Sequence, residues 1–474
     1  MNRSIVRLFG VIILLFTLLI VWTSRWTVFQ ASALQNNPLN KLAFFESLKV
    51  KRGQILADNG EVLAQSVSAG DGTWARTYPQ GSLFAQPIGY FVAKEGSAAG
   101  LERADSSLLN GTPTGITSVF GPLGTGQQVG DDVHTTLDPT GQKLAQQLLA
   151  GRTGSVVAIV PQTGAVKVMY SNPTYNDNAP NATCSQPDCK YNLATQGLFP
   201  PGSTFKIVTT TAALNTGDYT PNSTIVGNSP LTVSGVPLEN DGNQSWGPVS
   251  LTKALTYSIN TVYAQVGQRV GRSTMEEYMK RFGFYSAPPL DYPVDEMEPS
   301  GEWQNGSLLP VTSDQVDLGR TSIGQDYLLV TPLQMAMVAS TVADGGKLMK
   351  PHMTSQVVSP DGQILQTVGP HLQTQVMSAQ SASELTQMMT DVVEEGTGTA
   401  ANLEGLQAAG KTGTAQVGGP DSDIDDAWFI GFAPINHPRI AVAVVLPDIP
   451  NGYGGIYAAP IAAQEMKTLL AEGA

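Results

Sequence analysis

The chain has 474 residues, of which 41% are hydrophobic and 14% charged, a composition typical of a folded protein rather than a disordered one. This length allows a large core and more than one domain. The formal net charge of −13 argues against a nucleic-acid partner. Four histidines and two cysteines disfavour a zinc site and a Ser-His-Asp triad, so we predict neither a metal nor a cofactor.

The first predicted element is an apolar helix within residues 8–24. Arg3 and Arg7 precede it, and positive charge before a span favours a cytoplasmic N-terminus. We therefore predict a transmembrane anchor at 8–24, a cytoplasmic segment at 1–7 and export of the bulk of the chain. A cleaved signal peptide is the alternative, because Ala31-Ser32-Ala33 resembles a cleavage site.

Residues 25–149 are predicted to form a mixed, mostly β structural module. Short apolar segments alternate with glycines there, without helical periodicity. Arg52–Ala64 has the pattern of a hairpin, because Asp58-Asn59-Gly60 supplies the turn residues between two apolar runs. A short helix is predicted at Thr140–Leu149, and a domain boundary near residue 150.

Residues 150–474 are predicted to form an α+β domain with one antiparallel sheet flanked by helices. Runs at 155–160 and 165–169 surround Pro161-Gln162-Thr163-Gly164 and predict a hairpin. Ser381 and Glu384 have the spacing of a capping box. Helices are predicted at Met275–Phe282, Pro332–Ala343, Ser381–Glu395 and Pro460–Leu470, and strands at Lys411–Gln416, Ala427–Phe432 and Ile440–Leu446.

Cys184 and Cys189 are separated by four residues. In an exported domain the pattern favours a small-loop disulfide, and two free thiols in a surface loop are the alternative.

The strongest chemical motif is Ser203-x-x-Lys206, which follows Pro200-Pro201-Gly202. Prolines and glycine deliver a chain to a helix start, and the helix is predicted to run to Leu214, with Gly217 near its end. Residues three apart share a helical face. Burial would lower the pKa of Lys206 and make it a base for Ser203, the logic of an activated serine nucleophile.

A second Ser-x-x-Lys occurs at Ser250 and Lys253. We prefer Ser203, because only this serine has the Pro-Pro-Gly entry and a long apolar helix behind it.

Two further motifs would complete such a site. Ser258-Ile259-Asn260 offers a proton relay and an amide-binding side chain, and Lys411-Thr412-Gly413-Thr414 opens a predicted strand. Because side chains alternate along a strand, Lys411 and Gly413 are expected on one face and Thr412 and Thr414 on the other. A joint role therefore requires strand-edge geometry or main-chain contacts.

Ser-x-x-Lys, Ser-x-Asn and Lys-Thr-Gly, in this order, form the motif set of penicillin-binding proteins and serine β-lactamases. The sequence resembles class B penicillin-binding proteins, which are monofunctional D,D-transpeptidases, and in particular the short actinobacterial type. The resemblance makes residues 25–149 a pedestal (dimerisation-like) domain and 150–474 the transpeptidase domain. Further matching motifs are Arg52-Gly53, Arg76–Gly81, Gly100-Leu101-Glu102, Gly324-Gln325, Gly396-Thr397-Gly398 and Trp428–Pro434.

The resemblance implies a role for each motif residue in cross-linking stem peptides that end in D-Ala-D-Ala. Ser203 would carry the acyl group and Lys206 would accept its proton. Ser258 with Lys411 would pass a proton to the leaving D-alanine, and Asn260 would hold the donor amide. The strand residues Thr412, Gly413 and Thr414 would bind the terminal carboxylate or line its site. The N–H groups of Ser203 and Thr414 would form the oxyanion hole.

The resemblance also implies partners: β-lactam antibiotics, the plasma membrane and a membrane glycan polymerase of the shape, elongation, division and sporulation family. Two alternatives remain open from the sequence. One is hydrolysis by a D,D-carboxypeptidase or β-lactamase on the same fold, which Glu298-Pro299 faintly suggests. The other is a non-catalytic β-lactam sensor or cell-wall scaffold.

Overall fold

The structure is a computed structural model that describes residues 3–25, 48–111, 128–182, 188–419 and 422–473. The α-helices of these ranges are α1 Arg3–Ser24, α2 Ala85–Ile88, α3 Gly100–Ala104, α4 Ser106–Leu109, α5 Pro139–Leu148, α6 Lys206–Asn215, α7 Leu251–Thr256, α8 Asn260–Val270, α9 Arg272–Arg281, α10 Leu318–Thr321, α11 Pro332–Ala343, α12 Ala379–Glu394, α13 Gly454–Tyr457 and α14 Ala459–Glu472.

The strands fall into two large sheets and several small ones. In chain order they are β1 Ile55–Leu56, β2 Val62–Gly70, β3 Thr73–Thr77, β4 Phe91–Val92, β5 Ser97–Ala98, β6 Asp132–Thr135, β7 Gly154–Ile159, β8 Val166–Asn172, β9 Thr224–Val226, β10 Leu231–Val233, β11 Val236–Leu238, β12 Pro248–Ser250, β13 Gly301–Gln304, β14 Ser307–Leu309, β15 Leu328–Leu329, β16 Lys347–Met349, β17 Thr354–Val358, β18 Ile364–Thr367, β19 Leu372–Gln375, β20 Ala409–Val417, β21 Ile424–Ala433 and β22 Ile440–Pro450.

The N-terminal helix α1 contains the predicted anchor. It has 22 residues, a mean hydropathy of 2.7 over its most apolar window and no buried side chain. By length and composition it is long enough and apolar enough to cross a membrane.

The predicted transpeptidase domain, residues 150–474, contains a five-stranded antiparallel sheet with the strand order β20-β21-β22-β7-β8. Side chains of β22 alternate between two cores: Ala443 and Val445 pack on one face, and Val444 and Leu446 on the other. Helices α5 and α14 cover the second face. The α+β class, the antiparallel sheet flanked by helices and the hairpin of β7 and β8 were predicted correctly, but smaller sheets lie beside this one in the same range.

Two helices on the side of the sheet's first face are almost entirely buried. Helix α11 packs directly on β7, β21 and β22, and α6 packs against α8, α9 and α12. Every residue of α11 is buried, and Thr331 caps its start by accepting a hydrogen bond from the Gln334 N–H at 3.2 Å. All of α6 except Asn215 is also buried. The catalytic motif is thus attached to a rigid, water-excluded support.

Helix α12 corrects one prediction. Its N-cap is Ser378, whose Oγ accepts a hydrogen bond from the Ser381 N–H at 3.1 Å, so the helix begins before the predicted Ser381. Glu384 instead accepts a hydrogen bond from the Gln380 side chain at 3.0 Å. Ser378 and Ser381 both precede the apolar stripe of the helix. The capping-box spacing of Ser381 and Glu384 led to the wrong choice between them.

The pedestal sheet draws on chain from both sides of residue 150. Its strand order is β18-β17-β6-β1-β2-β3, in which only β1 and β6 are parallel. Strands β17 and β18 come from residues 354–367, far beyond the boundary expected near residue 150. The predicted hairpin at its centre is present, with Ile55 opposite Ala64 and a turn residue, Gly60, at φ +84°.

A buried ion network connects the pedestal motifs. Glu102 is fully buried and accepts hydrogen bonds from Arg52, at 2.7 Å, and from Arg76. Arg76 also donates to the Gly53 carbonyl at 2.7 Å. Burial alone would raise the pKa of Glu102, but the charges of Arg76 and Arg52 lower it overall. Three separate pedestal segments are therefore held by one carboxylate.

We predict that Glu102→Gln destabilises the pedestal, because it leaves two buried guanidinium groups without their counter-charge. Breaking a buried ion pair typically costs about 3–5 kcal/mol. The midpoint of thermal unfolding should fall clearly below that of the wild type. Asp295→Asn provides the control, because it removes an exposed partner of Arg103, and its midpoint should barely change. Equal midpoints for both variants would contradict the prediction.

Candidate active site

Ser203 lies on a tight turn rather than inside the α-helix. Gly202–Phe205 form a 3₁₀ turn, and α6 begins at Lys206. Gly202 has φ +51°, and a Cβ there would lie 2.8 Å from the Thr414 carbonyl oxygen. The Trp428 indole fixes the entry by donating to the Pro200 carbonyl at 3.0 Å. The proline-glycine entry thus brings the serine against the Lys-Thr-Gly strand.

Lys206 points into a buried polar cluster. Its Nζ lies 2.8 Å from the Ser258 carbonyl oxygen, 3.2 Å from Ser258 Oγ and 2.7 Å from Asn260 Oδ1. The Tyr263 ring centroid lies 5.4 Å away. Burial, and then the charge of Lys411, lower the pKa of Lys206 well below 10.5. Because no carboxylate is among its hydrogen-bond partners in the described residues, the neutral amine is favoured.

Lys411 approaches Ser258 from the sheet. Its Nζ donates to Ser258 Oγ at 2.9 Å and to the Thr412 carbonyl at 3.0 Å. Burial lowers the pKa of Lys411 to about 7, so this amine changes its charge near neutral pH.

Ser258 is the point where the two amines meet. It lies between α7 and α8 with φ +58°, a conformation uncommon for a non-glycine residue. When Lys411 donates to Ser258 Oγ, the hydroxyl proton of Ser258 is free to point at a neutral Lys206. The order Lys411, Ser258, Lys206 therefore forms a proton path that ends one helical turn from Ser203.

The Lys-Thr-Gly segment behaves as strand alternation predicts. Strand β20 is the edge of its sheet. Thr412 and Thr414 line the cavity described next. Lys411 is fully buried, and a Cβ at Gly413 would lie 2.7 Å from the Pro201 carbonyl oxygen. One face of this edge strand thus places Lys411 beside Ser258, and the other face places Thr412 and Thr414 in the cavity wall.

A cavity of about 910 Å³ opens in front of Ser203. This volume is within the usual range of ligand sites. Among the described residues the Ser203 hydroxyl makes no hydrogen bond, which leaves it free to face a bound substrate. Five of the residues predicted from the motifs line the cavity: Ser203, Ser258, Asn260, Thr412 and Thr414.

The second Ser-x-x-Lys motif has structural roles. Ser250 caps α7 by accepting a hydrogen bond from the Lys253 N–H at 3.1 Å. The Lys253 Nζ lies 5.5 Å from the Trp246 ring centroid. Neither Ser250 nor Lys253 lines the cavity.

Two site residues were missed by the motif search. The Tyr263 ring lies beside Lys206, and its hydroxyl pairs with Thr210 Oγ1 at 2.8 Å. Its position three residues after Asn260 on one helix was an available signal. Thr397 Oγ1 pairs with Thr412 Oγ1 at 2.6 Å and lines the cavity. Its motif was noted without a role, because nothing local connects it to β20.

The cysteine prediction is covered only in part. Cys189 is buried and disulfide-bonded, but Cys184 lies outside the described residues. The pairing of the two stays a prediction.

Comparison with known proteins identifies the family. Residues 154–467 match the family described as "Penicillin binding protein transpeptidase domain". The chain belongs to this family. Residues 52–129 also match the "Penicillin binding protein A dimerisation domain". Both matches agree with the resemblance seen in the motifs, and the predicted family is confirmed.

Relatives of this penicillin-binding protein match along their full length. "Peptidoglycan D,D-transpeptidase PbpA" of Mycolicibacterium smegmatis is 34% identical, over 100% of both chains. The Mycobacterium tuberculosis protein of the same name is 33% identical, over 97% of each chain. The solved structure of the ceftriaxone acyl-enzyme complex of M. tuberculosis penicillin-binding protein A is similar, with a TM-score of 0.79 and 30% identity, covering 90% of this chain and 100% of that one.

We predict that acylation by penicillin has a bell-shaped pH dependence. Lys206 acts as a base only when neutral, so the rate should rise as pH increases through its lowered pKa, well below 10.5. The rate should fall again as Lys411 loses its proton above about 7. The second-order rate constant with a fluorescent penicillin, measured from acidic to strongly alkaline pH, reports both limbs. A single rise near 10.5, as for an ordinary lysine, would contradict the assignment.

Proposed function

We propose that the protein is a peptidoglycan D,D-transpeptidase that cross-links stem peptides through an acyl-enzyme on Ser203. The observation that carries the proposal is the convergence of Lys206 and Lys411 on Ser258, beside the Ser203 hydroxyl, which has no hydrogen-bond partner in the part of the chain that the structure describes and lines a large cavity. Family membership and the names of the full-length relatives support the same reaction.

In the acylation step, Ser203 Oγ attacks the carbonyl carbon of the penultimate D-alanine while neutral Lys206 accepts its proton. The N–H groups of Ser203 and Thr414 stabilise the oxyanion. The close approach of Gly202 to the Thr414 carbonyl supports this pairing, since it brings the two backbone segments together. Loss of one such donor typically lowers the rate about a hundredfold or more.

Collapse of the tetrahedral intermediate breaks the C–N bond and leaves an ester on Ser203. The departing amine takes one proton from the Ser258 hydroxyl, and Lys206 replaces it with the proton that it accepted from Ser203. Lys411 keeps its own proton and orients Ser258 by its hydrogen bond. A stem-peptide amine then attacks the ester, the same network accepts its proton, and Ser203 is regenerated with a new amide bond formed.

Binding of the donor peptide is assigned to the cavity wall. Thr412 and Thr414 present hydroxyls beside Lys411, a combination suited to the terminal carboxylate. Asn260 is held by Lys206, and its Nδ2 donates to the Glu239 carbonyl at 3.1 Å, so its amide is fixed in orientation next to the site. We assign it to the peptide amide.

The setting of the reaction follows from the substrate. We propose that α1 anchors the protein in the plasma membrane, with the N-terminus cytoplasmic and the transpeptidase domain outside. The motifs account for peptide cross-linking alone, so a membrane glycan polymerase of the shape, elongation, division and sporulation family is the proposed partner.

We predict that Ser203→Ala abolishes covalent labelling by fluorescent penicillin, because Ser203 lines the cavity and makes no side-chain hydrogen bond among the described residues, whereas the Ser258 hydroxyl is held by both Lys206 and Lys411. Ser250→Ala is the matched control, since it removes an N-cap worth about 1 kcal/mol and leaves the cavity untouched. Gel fluorescence and mass spectrometry of the adduct report the labelled residue. Label that survives on Ser203→Ala, or disappears with Ser250→Ala, would assign the nucleophile to the wrong motif.

We also predict that the reaction yields cross-links rather than hydrolysis. Detergent-solubilised full-length protein, given polymerised but uncross-linked glycan strands, should release D-alanine and form peptide dimers in equal amounts. Glu298, the residue that suggested a hydrolytic enzyme, does not line the cavity, which supports this expectation. D-alanine release without dimers would replace the proposal with a carboxypeptidase. Penicillin labelling without any product would favour a sensor or scaffold.

A further inference from the structure

The Gly396-Thr397-Gly398 loop borders the cavity at Ser203 but has no part in the reaction described above. Thr397 lines the cavity, and its Oγ1 lies 2.6 Å from Thr412 Oγ1. Thr412 is one of the two threonines assigned to the terminal carboxylate of the donor peptide. This pair of hydroxyls therefore connects a residue without an assigned role to the proposed carboxylate subsite.

The backbone around Thr397 is tightly fixed. The Thr397 N–H donates to the Thr256 carbonyl at 3.2 Å, and a Cβ at Gly396 would lie 2.3 Å from that carbonyl oxygen. On the other side, a Cβ at Gly455 would lie 2.4 Å from the Thr397 carbonyl oxygen. Only glycine allows backbone segments to come this close. The loop thus presents the Thr397 hydroxyl to Thr412 from a fixed position.

The direction of the hydrogen bond between the two hydroxyls decides which proton reaches the cavity. A hydroxyl has one proton to donate and two lone pairs that accept. If Thr397 donates, the Thr412 proton is free for an anion in the cavity. The next donor, the Lys411 Nζ, lies 3.5 Å from Thr412 Oγ1. Thr397 is therefore the closer donor, and its hydroxyl has no other hydrogen-bond partner among the described residues.

Thr414 has a similar arrangement in which the direction is fixed. The Gly454 N–H lies 3.4 Å from Thr414 Oγ1, and an N–H group can only donate. The Thr414 hydroxyl proton is therefore left for the cavity. A donor behind each hydroxyl also polarises it, which strengthens the bond that it makes in front.

We propose that Thr397 is a positioning residue for the carboxylate subsite. Its hydroxyl donates to Thr412 Oγ1, so that the Thr412 hydroxyl donates to the terminal carboxylate of the donor peptide or to the carboxylate of a penicillin. Thr397 thereby raises the preference of the enzyme for substrates with a free carboxylate over those without one. This assignment rests on the proposed transpeptidase function.

The test compares acylation by benzylpenicillin with acylation by its methyl ester, on the full-length protein in detergent. Both compounds carry the same β-lactam ring, and only the acid carries the negative charge. Mass spectrometry of the intact protein follows each adduct over time and gives two second-order rate constants. Their acid-to-ester ratio reports recognition of the carboxylate. The wild-type ratio should be about ten or more, because hydrogen bonds to a charged group are the stronger ones.

Two substitutions of Thr397 separate its hydroxyl from its shape. Thr397→Val removes the hydroxyl at nearly constant volume and should lower the ratio about three- to tenfold, while the rate with the ester stays as in the wild type. Thr397→Ser keeps the hydroxyl and should restore the wild-type ratio. Thr399→Val is the matched control, because Thr399 also lines the cavity but makes no side-chain hydrogen bond among the described residues. Its ratio should equal that of the wild type.

A double variant tests whether Thr397 acts through Thr412. Thr412→Val should lower the ratio about tenfold or more. The combination of Thr397→Val with Thr412→Val should lower it no further, since the two hydroxyls act in series.

Several results would overturn the proposal. Equal losses with the acid and the ester in Thr397→Val would make its role purely structural. A low ratio in Thr397→Ser, additive losses in the double variant, or an equal fall in Thr399→Val would also reject it.

Failure of the proposed function has a different signature. A wild-type protein that is not acylated on Ser203, or that forms no cross-links, would reject the transpeptidase itself. An unchanged ratio in Thr412→Val would reject the carboxylate subsite and the role of Thr397 with it. An unchanged ratio in Thr397→Val alone would reject only the positioning role.

Discussion

The chemistry of this protein depends on the dehydration of two amines. Lys206 and Lys411 are both fully buried, and their hydrogen-bond partners in the described chain are hydroxyl, amide and carbonyl groups rather than carboxylates. An unpaired ammonium in such surroundings is costly, and the amine responds by giving up its proton. Close packing around α6 therefore favours the neutral form of Lys206, the form that the proposed base role requires.

This dehydration also explains the architecture around the site. A neutral lysine requires walls that exclude water, and α6 is buried nearly throughout, packed against α8, α9 and α12. Close approaches of backbone segments at Gly202 and Gly413 leave no space for side chains between the turn at Ser203 and β20. Tight packing there lowers the pKa values of the two lysines by excluding water, and it also stabilises the fold.

The sequence predicted the parts of the structure that are encoded locally. The hairpins, the extent of α11 and the alternation along β20 all follow from short-range patterns, and the structure has them. Long-range pairing was not predictable: nothing in residues 354–367 indicates that they complete a sheet begun at Ile55. Thr397 was missed for the same reason, since its partner Thr412 lies on a separate strand, whereas Tyr263 had a local signal in its spacing from Asn260.

The shared sheet also bears on how this protein can be divided. In the described chain, β6 pairs with β1 on one side and with β17 on the other. A fragment cut near residue 150 would keep β1 and lose β17, so β6 would present a bare edge to other chains. Such edges recruit strands from neighbouring molecules. The two regions are separate in sequence motifs yet inseparable as folding units, and soluble fragments of the N-terminal part would need residues 354–367 supplied in trans or by fusion.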